Sequence, residues 1–127
     1  MERTRVHSGS EYEESIGFSR AIRIGSRCLV SGTAPIWPDG SCRNDAKAQT
    51  LRCFEIIGGA LAELGASLDD VVRTRIYLVD PSDADKVGHA HAQALGEARP
   101  AATMVIVAGL LDSRWLVEIE AEAEIGS

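Results

Sequence analysis

Near its end, the chain places glutamate at every second position of an otherwise apolar run. Successive side chains in a strand point to opposite faces, so the run from Val117 to Ile125 separates four carboxylates from the apolar residues. Same-face neighbours in a strand lie roughly 6 to 7 Å apart, and like charges at that distance repel unless cations or water intervene. The chain is therefore expected to build a sheet with one apolar face and one face where water or counter-charges surround the carboxylates. The carboxylates belong to Glu118, Glu120, Glu122 and Glu124.

Two arginines repeat with the same spacing in a second run. Arg73 and Arg75 alternate with β-branched and apolar residues between Val71 and Val79, which is typical of a strand with one buried face. Opposite charges on adjacent strands stabilise their pairing. We therefore predict that this strand lies beside the last one and that its arginines partly neutralise the glutamate row. Apart from Glu118, the glutamates are interpreted as a solvated or salt-bridged sheet face.

Turn and capping residues divide the first half of the chain into a hairpin and a helix. Residues 21–32 are predicted to form two short strands joined by a tight turn at Gly25. A helix is predicted from about residue 46 to residue 64, because apolar residues recur there at steps of three and four. Asp45 is its expected N-cap, and Gly65 is placed to end it.

The second half of the chain is predicted to contain another helix and another strand. The helix covers about residues 83–95, with Ser82 as its cap. Asp85, three residues after Ser82, completes a capping-box pattern, and Gly96 ends the helix. The strand covers residues 103–107 and precedes the strand that carries the glutamates.

The order of these elements predicts an α+β domain. Few crossovers are long enough for parallel pairing, so the sheet should be mixed and covered by helices on one face. A chain of 127 residues fits one domain, spanning residues 1–127. Gly58 and Gly59 weaken the first helix, which predicts close packing of that helix on the sheet. The open face of the sheet is expected to be buried against sister subunits.

The charge and hydropathy of the chain limit its partners. The chain has a net charge of -6 and no cluster of lysine or arginine longer than two residues. This argues against a nucleic-acid partner, because phosphates repel an acidic surface. No apolar segment approaches the roughly 18 residues of a membrane span, and the start has no signal-peptide pattern. We therefore predict a cytoplasmic protein without a nucleic-acid or membrane partner.

The cysteines and histidines give no metal pattern. Cys28, Cys42 and Cys53 lack the spacing of a zinc site or a disulfide framework, so buried or idle thiols are expected. His89 and His91 lie two positions apart on the second helix and face different directions, which is poor geometry for a shared metal. His91 is expected either to pack or to line a cleft. No metal or cofactor is predicted.

Six segments carry a family likeness: Gly17–Ala21, Val30–Thr33, Ala48–Thr50, Leu64–Val72, Arg99–Val105 and Val117–Ala121. No single segment is specific. Together they resemble the RidA (YjgF) family over nearly the whole chain, in order and with the family's spacing.

The resemblance implies a fold, an assembly and an activity. The fold is a chorismate-mutase-like α+β fold, a mixed sheet with two helices packed on one face. The assembly is a homotrimer that binds a small-molecule ligand in clefts between subunits. The activity is hydrolysis of reactive enamines and imines, such as 2-aminoacrylate and its imine, to a keto acid and ammonia, without a metal or organic cofactor.

One position departs from the family pattern. The family holds the substrate carboxylate with an arginine two residues after the proline of a Pro-Ala-Arg motif, and that position here is Ala102. Loss of a bidentate, charge-assisted pair weakens binding of a small carboxylate, so substrates atypical for the family are predicted. Arg99 and Arg114 are the alternative arginines considered near the cleft. Trp37 and Trp115 are expected to cover its mouth or to pack in the core or an interface.

The other site positions hold suitable residues. The resemblance makes Phe18 an aromatic wall residue, Ser31 a hydroxyl that contacts ligand and Glu118 the carboxylate that orients and activates water. Thr103 keeps a hydroxyl beside the missing arginine. The predicted catalytic residues are thus Glu118, Ser31 and Thr103. The predicted substrate-binding residues are Phe18, Gly32, Ala102 and Met104.

Two functions remain open at this point. The first is a Rid-type hydrolase for an imine, an enamine or a similarly polarised small molecule, supported by Ser31, Thr103 and Glu118. The second is a non-catalytic trimer that binds a metabolite or another protein, supported by Ala102. Cleavage of RNA ranks last, because the acidic chain offers neither a basic track nor a histidine pair suited to phosphodiester chemistry.

Overall fold

A six-stranded sheet with helices packed on one face forms the protein. The computed structural model describes residues 2–126. Three short 3-10 turns, Leu68–Asp70, Pro81–Asp83 and Gly96–Ala98, join the main elements. The strands and helices are β1 Arg3–Val6, α1 Glu11–Ile16, β2 Ala21–Ile24, β3 Arg27–Thr33, α2 Ala46–Glu63, β4 Val71–Leu78, α3 Ala84–Leu95, β5 Ala101–Ile106 and β6 Val117–Glu124.

The strand that carries the glutamates lies inside the sheet. The strand order is β1-β2-β3-β6-β4-β5, so β6 pairs with β3 on one side and with β4 on the other. Both pairings of β6 are antiparallel, whereas β4 and β5 are parallel and are joined through α3. The predictions of a mixed α+β sheet and of adjacent β4 and β6 are confirmed.

The apolar face of the sheet packs beneath α2 and α3. The four apolar residues of β6 from Val117 to Ala123 are at most 2% exposed. Helix α2 covers them with Phe54, Ile57 and Leu61, each at most 1% exposed. The carboxylate of Asp45 accepts a hydrogen bond from the backbone N–H of Ala48, which confirms the predicted N-cap. No helix within residues 2–126 combines the length and apolar character needed to cross a bilayer.

Strand β1 and helix α1 were not predicted from the sequence. Strand β1 has four residues and extends the sheet beside β2, and α1 has six residues. Both are too short to show a readable period. The cap of α1 is nevertheless regular: the Ser10 hydroxyl accepts from the backbone N–H of Tyr12, and Gly17 ends the helix with φ +90°.

The predicted capping box at the start of α3 is wrong. Asp80, rather than Ser82, supplies the cap: its carboxylate accepts from the backbone N–H of Ser82 at 2.9 Å. This contact caps the 3-10 turn that begins at Pro81, and α3 starts only after that turn. Asp83, at the N-cap position of α3, makes no capping hydrogen bond with its side chain. The proline favours an early tight turn and shifts the helix start by one residue.

The glycine pair in α2 does not mark a close approach to the sheet, so that expectation is also wrong. A Cβ added at Gly58 would make an ordinary contact with Leu68 at 3.4 Å, and one added at Gly59 would meet nothing within 4 Å. Gly59 is exposed on the helix surface. Its backbone therefore bears the entropic penalty of glycine without a packing need.

We predict that Gly59→Ala stabilises the protein. Alanine loses less backbone freedom than glycine on folding into a helix, and the gain should be about 0.5 to 1 kcal/mol in the free energy of unfolding. Urea denaturation followed by circular dichroism measures this change. Gly65→Ala is the matched control and should destabilise, because Gly65 has φ +81°. An unchanged or lower stability for Gly59→Ala would contradict the assignment of an open helical position.

Candidate functional site

The glutamate row is neutralised mainly by one arginine of β4 and one of β3. The Arg75 guanidinium lies 3.6 Å from the Glu120 carboxylate and 3.3 Å from that of Glu122. Glu122 also pairs with Arg27 at 2.5 Å. Glu120 accepts a hydrogen bond from the Tyr77 hydroxyl at 2.6 Å. The two arginines hold the pKa of Glu122 below its usual range, first through the hydrogen bond from Arg27.

The other predicted arginine has a different partner. Arg73 lies opposite Glu122 in the β4–β6 register. Its Nη2 nevertheless donates to the Thr103 hydroxyl on β5 at 3.1 Å. The predicted neutralisation therefore holds for Arg75 and not for Arg73. Arg27, which supplies the closest pair, was missed because it stands at the turn of the hairpin, where no alternation pointed to it.

Glu118 differs from the other three glutamates. Glu124 accepts a hydrogen bond from Ser26, whereas Glu118 accepts none from any residue in the described part of the chain. Its side chain is half-buried. Burial raises the pKa of Glu118 above its usual range and the charge of Glu120 adds to the rise, while the nearby Arg20 opposes it. Glu118 is thus a carboxylate with open acceptor capacity and an increased affinity for a proton.

The Glu118 carboxylate lies in a cleft of about 660 Å³, which we call the Glu118 cleft. The volume falls within the range of small-molecule sites. Helix α1, the end of β3 and two loops form its walls, which are largely apolar and aromatic. The apolar and aromatic wall residues are Tyr12, Ile16, Phe18, Ile36, Trp37, Leu111 and Trp115.

A bulge in β3 brings Glu118 against the backbone. The register between β3 and β6 shifts between Val30 and Thr33, which places Ser31 and Gly32 in the irregular stretch. A Cβ added at Gly32 would overlap the Glu118 carboxylate oxygen Oε2. Gly32 therefore makes room for the carboxylate, and the structure gives it a positioning role beside the predicted substrate contact.

Arg20 lies beside Glu118 and was missed in the sequence. It precedes β2 and lines the cleft, with its guanidinium carbon 5.8 Å from the centre of the Phe18 ring. Its Nη2 donates to the carbonyl oxygen of Gly32, and its Nε is buried without an acceptor in the described residues. Burial lowers the pKa of Arg20, and the charges of Glu13 and Glu118 oppose that shift. One indication of a site role for Arg20 was present in the sequence, namely its position inside the family-like segment Gly17–Ala21.

One glutamine fastens the loops that form the far wall. The fully buried Gln49 of α2 donates from Nε2 to the carbonyl oxygens of Arg43 at 2.7 Å and Arg114 at 3.0 Å. Its Oε1 accepts from the backbone N–H of Leu116 at 2.8 Å. A side chain from the helix thereby fixes the loop that carries Trp115 relative to the sheet.

Arg114 and Arg99, the alternative arginines, are placed differently from Arg20. Arg114 is at the cleft mouth and donates to both Asp112 carboxylate oxygens, with Nη2 at 2.8 Å. These hydrogen bonds lower the pKa of Asp112 to about 2. Arg99 is exposed with φ +42° and lines neither described cleft. Arg114 is thus committed to a carboxylate neighbour.

Ser31 and Phe18 connect this cleft to a second one. The second cleft, about 560 Å³, lies on the open face of the sheet beside Arg75 and Glu120. Phe18 lines both clefts, whereas Ser31 lines only the second. The Ser31 hydroxyl donates to the carbonyl oxygen of Ser19 at 2.7 Å. Within one chain, the structure therefore brings Phe18 and Gly32 to Glu118 but leaves the Ser31 hydroxyl on the other side of the bulge.

Comparison with known proteins identifies the relationship. The profile of the family described as Endoribonuclease L-PSP matches residues 9–125. A RutC family protein of Pyrococcus abyssi is 39% identical over 108 residues, which cover 84% of each chain. The chain belongs to the YjgF/RidA family. An uncharacterized protein of Streptomyces coelicolor is 41% identical over 124 residues, 97% of this chain and 92% of that protein.

Solved structures of the YjgF/RidA family share the fold. A YjgF/YER057c/UK114 family member from Mycobacterium tuberculosis superposes with a TM-score of 0.90 at 47% identity, covering 98% of this chain and 100% of that one. RidA from an Antarctic Psychrobacter superposes with a TM-score of 0.83 at 30% identity, covering 95% and 94%. The family resemblance drawn from the six segments is confirmed.

Three of the predicted site residues lie away from Glu118 within this family member. Ala102, Thr103 and Met104 are on the edge strand β5, which β4 separates from β6. They line neither described cleft. Their predicted roles in substrate binding and catalysis stay predictions, because a single chain does not place them beside the carboxylate.

The cysteines and His91 have packing roles. All three cysteines are free, and burial raises the pKa of each thiol above its ordinary value. His91 bonds to Thr74 at 2.8 Å and packs edge-on against Phe54. It therefore packs in the protein rather than lining the cleft. Within residues 2–126, no three metal-ligating side chains come together.

We predict that Gly32→Ala displaces the Glu118 carboxylate without unfolding the protein. The added methyl group meets the end of a flexible side chain rather than backbone, so the change in thermal midpoint should be small. Ligand binding in the cleft should fall, because the carboxylate has to leave its place against β3. A crystal structure of the variant measures the displacement. An undisplaced carboxylate would contradict the positioning role of Gly32.

Proposed function

We propose that this protein is a cofactor-independent hydrolase that converts small imines or enamines to carbonyl compounds and ammonia in the Glu118 cleft. The observation that carries the proposal is the isolation of Glu118. It is half-buried and faces an aromatic cleft, while its three counterparts on β6 have hydrogen-bond partners. Burial disfavours the ionised form of this carboxylate, and its oxygens have open positions for hydrogen bonds. Such a carboxylate is suited to proton transfer with water.

The chemistry needs one water and one proton carrier. Ionised Glu118 takes a proton from the water as the water oxygen bonds to the imine carbon, and it delivers this proton to the imine nitrogen, which gives a neutral carbinolamine. Glu118 then takes the proton of the carbinolamine hydroxyl and delivers it to the amine nitrogen. The carbonyl group forms as the carbon–nitrogen bond breaks, and ammonia leaves. Imine and water are consumed, ketone and ammonia are formed, and Glu118 ends in its starting state. The elevated pKa of Glu118 supports both halves of this exchange.

The proposal includes a homotrimer with clefts between subunits. Every residue of β5 from Ala101 to Ile106 is exposed in the single chain. Met104, Val105 and Ile106, with exposures of 36%, 41% and 50%, are consecutive large apolar side chains at this edge of the sheet, and a monomeric protein seldom leaves such a cluster bare. A sister subunit that covers β5 would also bring Ala102, Thr103 and Met104 toward a neighbouring cleft. The three free thiols fit the reducing cytoplasm, to which we assign the activity.

A metabolite-binding module without catalysis is the second candidate. Ala102 favours it, since a methyl group replaces the guanidinium that the family resemblance places there. The Glu118 cleft suits this function equally well. Only a measurement of turnover distinguishes the binding module from the hydrolase.

We predict that Glu118→Gln abolishes hydrolysis while stabilising the fold. The folded state raises the pKa of Glu118, so the protonated form stabilises the protein below the unfolded pKa and this stabilisation is lost as pH rises through the folded pKa. Glutamine is neutral throughout, and the variant's advantage in thermal midpoint should therefore grow between pH 4 and pH 7. Ammonia release from imines formed in situ by an amino-acid oxidase measures activity, with an expected loss of about 100-fold or more.

Glu124→Gln is the matched control for this experiment. It removes a carboxylate from the same face of the same strand, outside both clefts, and should keep wild-type turnover. Equal activity of wild type and Glu118→Gln would refute the assigned role. Absence of turnover in the wild type, with retained ligand binding, would establish the binding module instead.

We predict that Val105→Asp dissociates the trimer. A carboxylate on β5 would have to be buried without a partner, which opposes association. Light scattering after size-exclusion chromatography should give about three times the 13.6 kDa chain mass for the wild type and the chain mass for the variant. A wild-type protein that elutes as a monomer would eliminate this assembly.

A further inference from the structure

Three arginines line the cleft, and among the described residues Arg20 is the one without an ion pair. Arg52 donates from Nε to the carbonyl oxygen of Ile36 at 2.7 Å and lies 4.0 Å from the Glu55 carboxylate, and Arg114 is held by Asp112. Arg20 makes a single hydrogen bond to a carbonyl oxygen in the described residues, out of the five donors of a guanidinium. Its capacity for an anionic partner is therefore open.

No carboxylate in the described residues neutralises Arg20 directly. Glu13 and Glu118 act on it through space, yet neither comes within the 4.0 Å of an ion pair. The buried Glu13 is instead satisfied by the backbone N–H and the hydroxyl of Ser8, with the N–H at 3.1 Å. A partly buried guanidinium without a contacting counter-ion loses hydration without compensation, and a bound carboxylate would restore a charged partner.

Arg20 and Glu118 flank the same residue. Arg20 donates to the carbonyl oxygen of Gly32, and the Glu118 carboxylate packs where a Cβ of Gly32 would be. A 2-imino acid carries its carboxylate one bond away from the carbon that water attacks. A guanidinium and a general base on two sides of one glycine match that arrangement. The aromatic wall adds a second unpaired donor, the buried Nε1 of Trp115.

We infer that Arg20 is the residue that binds the substrate carboxylate in this protein, in place of an arginine at the position of Ala102. The reaction in this inference rests on the proposed function. The binding of a carboxylate rests only on the geometry of the cleft. The anchor reaches the carboxylate from the start of β2 rather than from β5, where Ala102 stands. The ligand accordingly lies against the bulge of β3.

The kinetic test compares two imines of similar size that differ in the carboxylate. One is formed from a 2-amino acid by an amino-acid oxidase, and the other from an alkylamine by an amine oxidase. Arg20→Gln should lower kcat/KM for the imino acid by about 10- to 150-fold, the range of one charge-assisted hydrogen bond, and leave the carboxylate-free imine within about threefold. Equal losses for both imines would show that Arg20 only holds the bulge, and would overturn the inference.

A binding test separates this inference from the proposed reaction. Titration with 2-oxobutanoate and with its neutral amide is followed by the fluorescence of Trp37 and Trp115, which line the cleft. The wild type should prefer the carboxylate, and Arg20→Gln should lose that preference. This result would support the role of Arg20 even if the wild type hydrolyses neither imine. In that case the proposed hydrolysis is refuted and the carboxylate site remains. A wild type without a preference for the carboxylate overturns the inference.

Two further variants keep the test decisive. Arg52→Gln removes a cleft arginine that is already ion-paired with Glu55 and should keep the preference for the carboxylate. Arg20→Lys keeps the charge but loses the planar fork, so it should retain part of the preference. It also replaces Arg20→Gln if that variant does not fold. A preference lost in Arg52→Gln and kept in both Arg20 variants would assign the anchor to Arg52.

Discussion

The compensation of carboxylates along β6 is the constraint on which the rest of the structure depends. A strand inside a sheet cannot move its charges into bulk water by fraying, so its neighbours have to supply donors. Arg27 of β3 and Arg75 of β4 do so from either side, and the tyrosine of β4 completes the pairing of Glu120. The apolar face of the strand is then free to pack beneath α2. The sheet's order and its two-sided character follow from this arrangement.

The first glutamate of the row is the exception, and its isolation has a local cause. At that end of β6 the neighbouring β3 leaves its regular register, so the partner strand presents backbone and a glycine instead of a charged side chain. Two loops line the cleft at the same point, and Glu118 is half-buried there. A defect in strand pairing thus converts one member of a salt-bridged row into a carboxylate that faces a cleft.

Long periodic patterns made much of the fold predictable. Strands β4 and β6 and helix α2 have enough residues to display a period, and Asp45 marks the helix start as its chemistry requires. Shorter elements did not reach that threshold, which is why β1 and α1 were missed. The start of α3 was misassigned because two acidic residues and a serine compete for the same backbone donors. Sequence alone does not rank such competitors.

The site was predictable only where family likeness and local geometry coincide. Glu118 and Phe18 follow from the resemblance and are found together in the cleft. Arg20 was overlooked because burial and unused donors are properties of a folded neighbourhood, and thirteen lysines and arginines in the sequence give no sign of which is desolvated. The residues on β5 show the opposite case, since their likeness to the family says nothing about where a single chain places them.

The buried amide of Gln49 holds the loops of the cleft in place without using their wall residues. Its hydrogen bonds to the two loops go to backbone atoms and to the Cys42 thiol, so the side chains that those loops present to the cleft take no part in the fastening. Wall residues such as Trp37 and Leu111 are therefore free to change during evolution while the loop paths persist. The same scaffold can acquire new ligand preferences by substitution at its walls, and the cost to folding stays low because the fastening is made elsewhere.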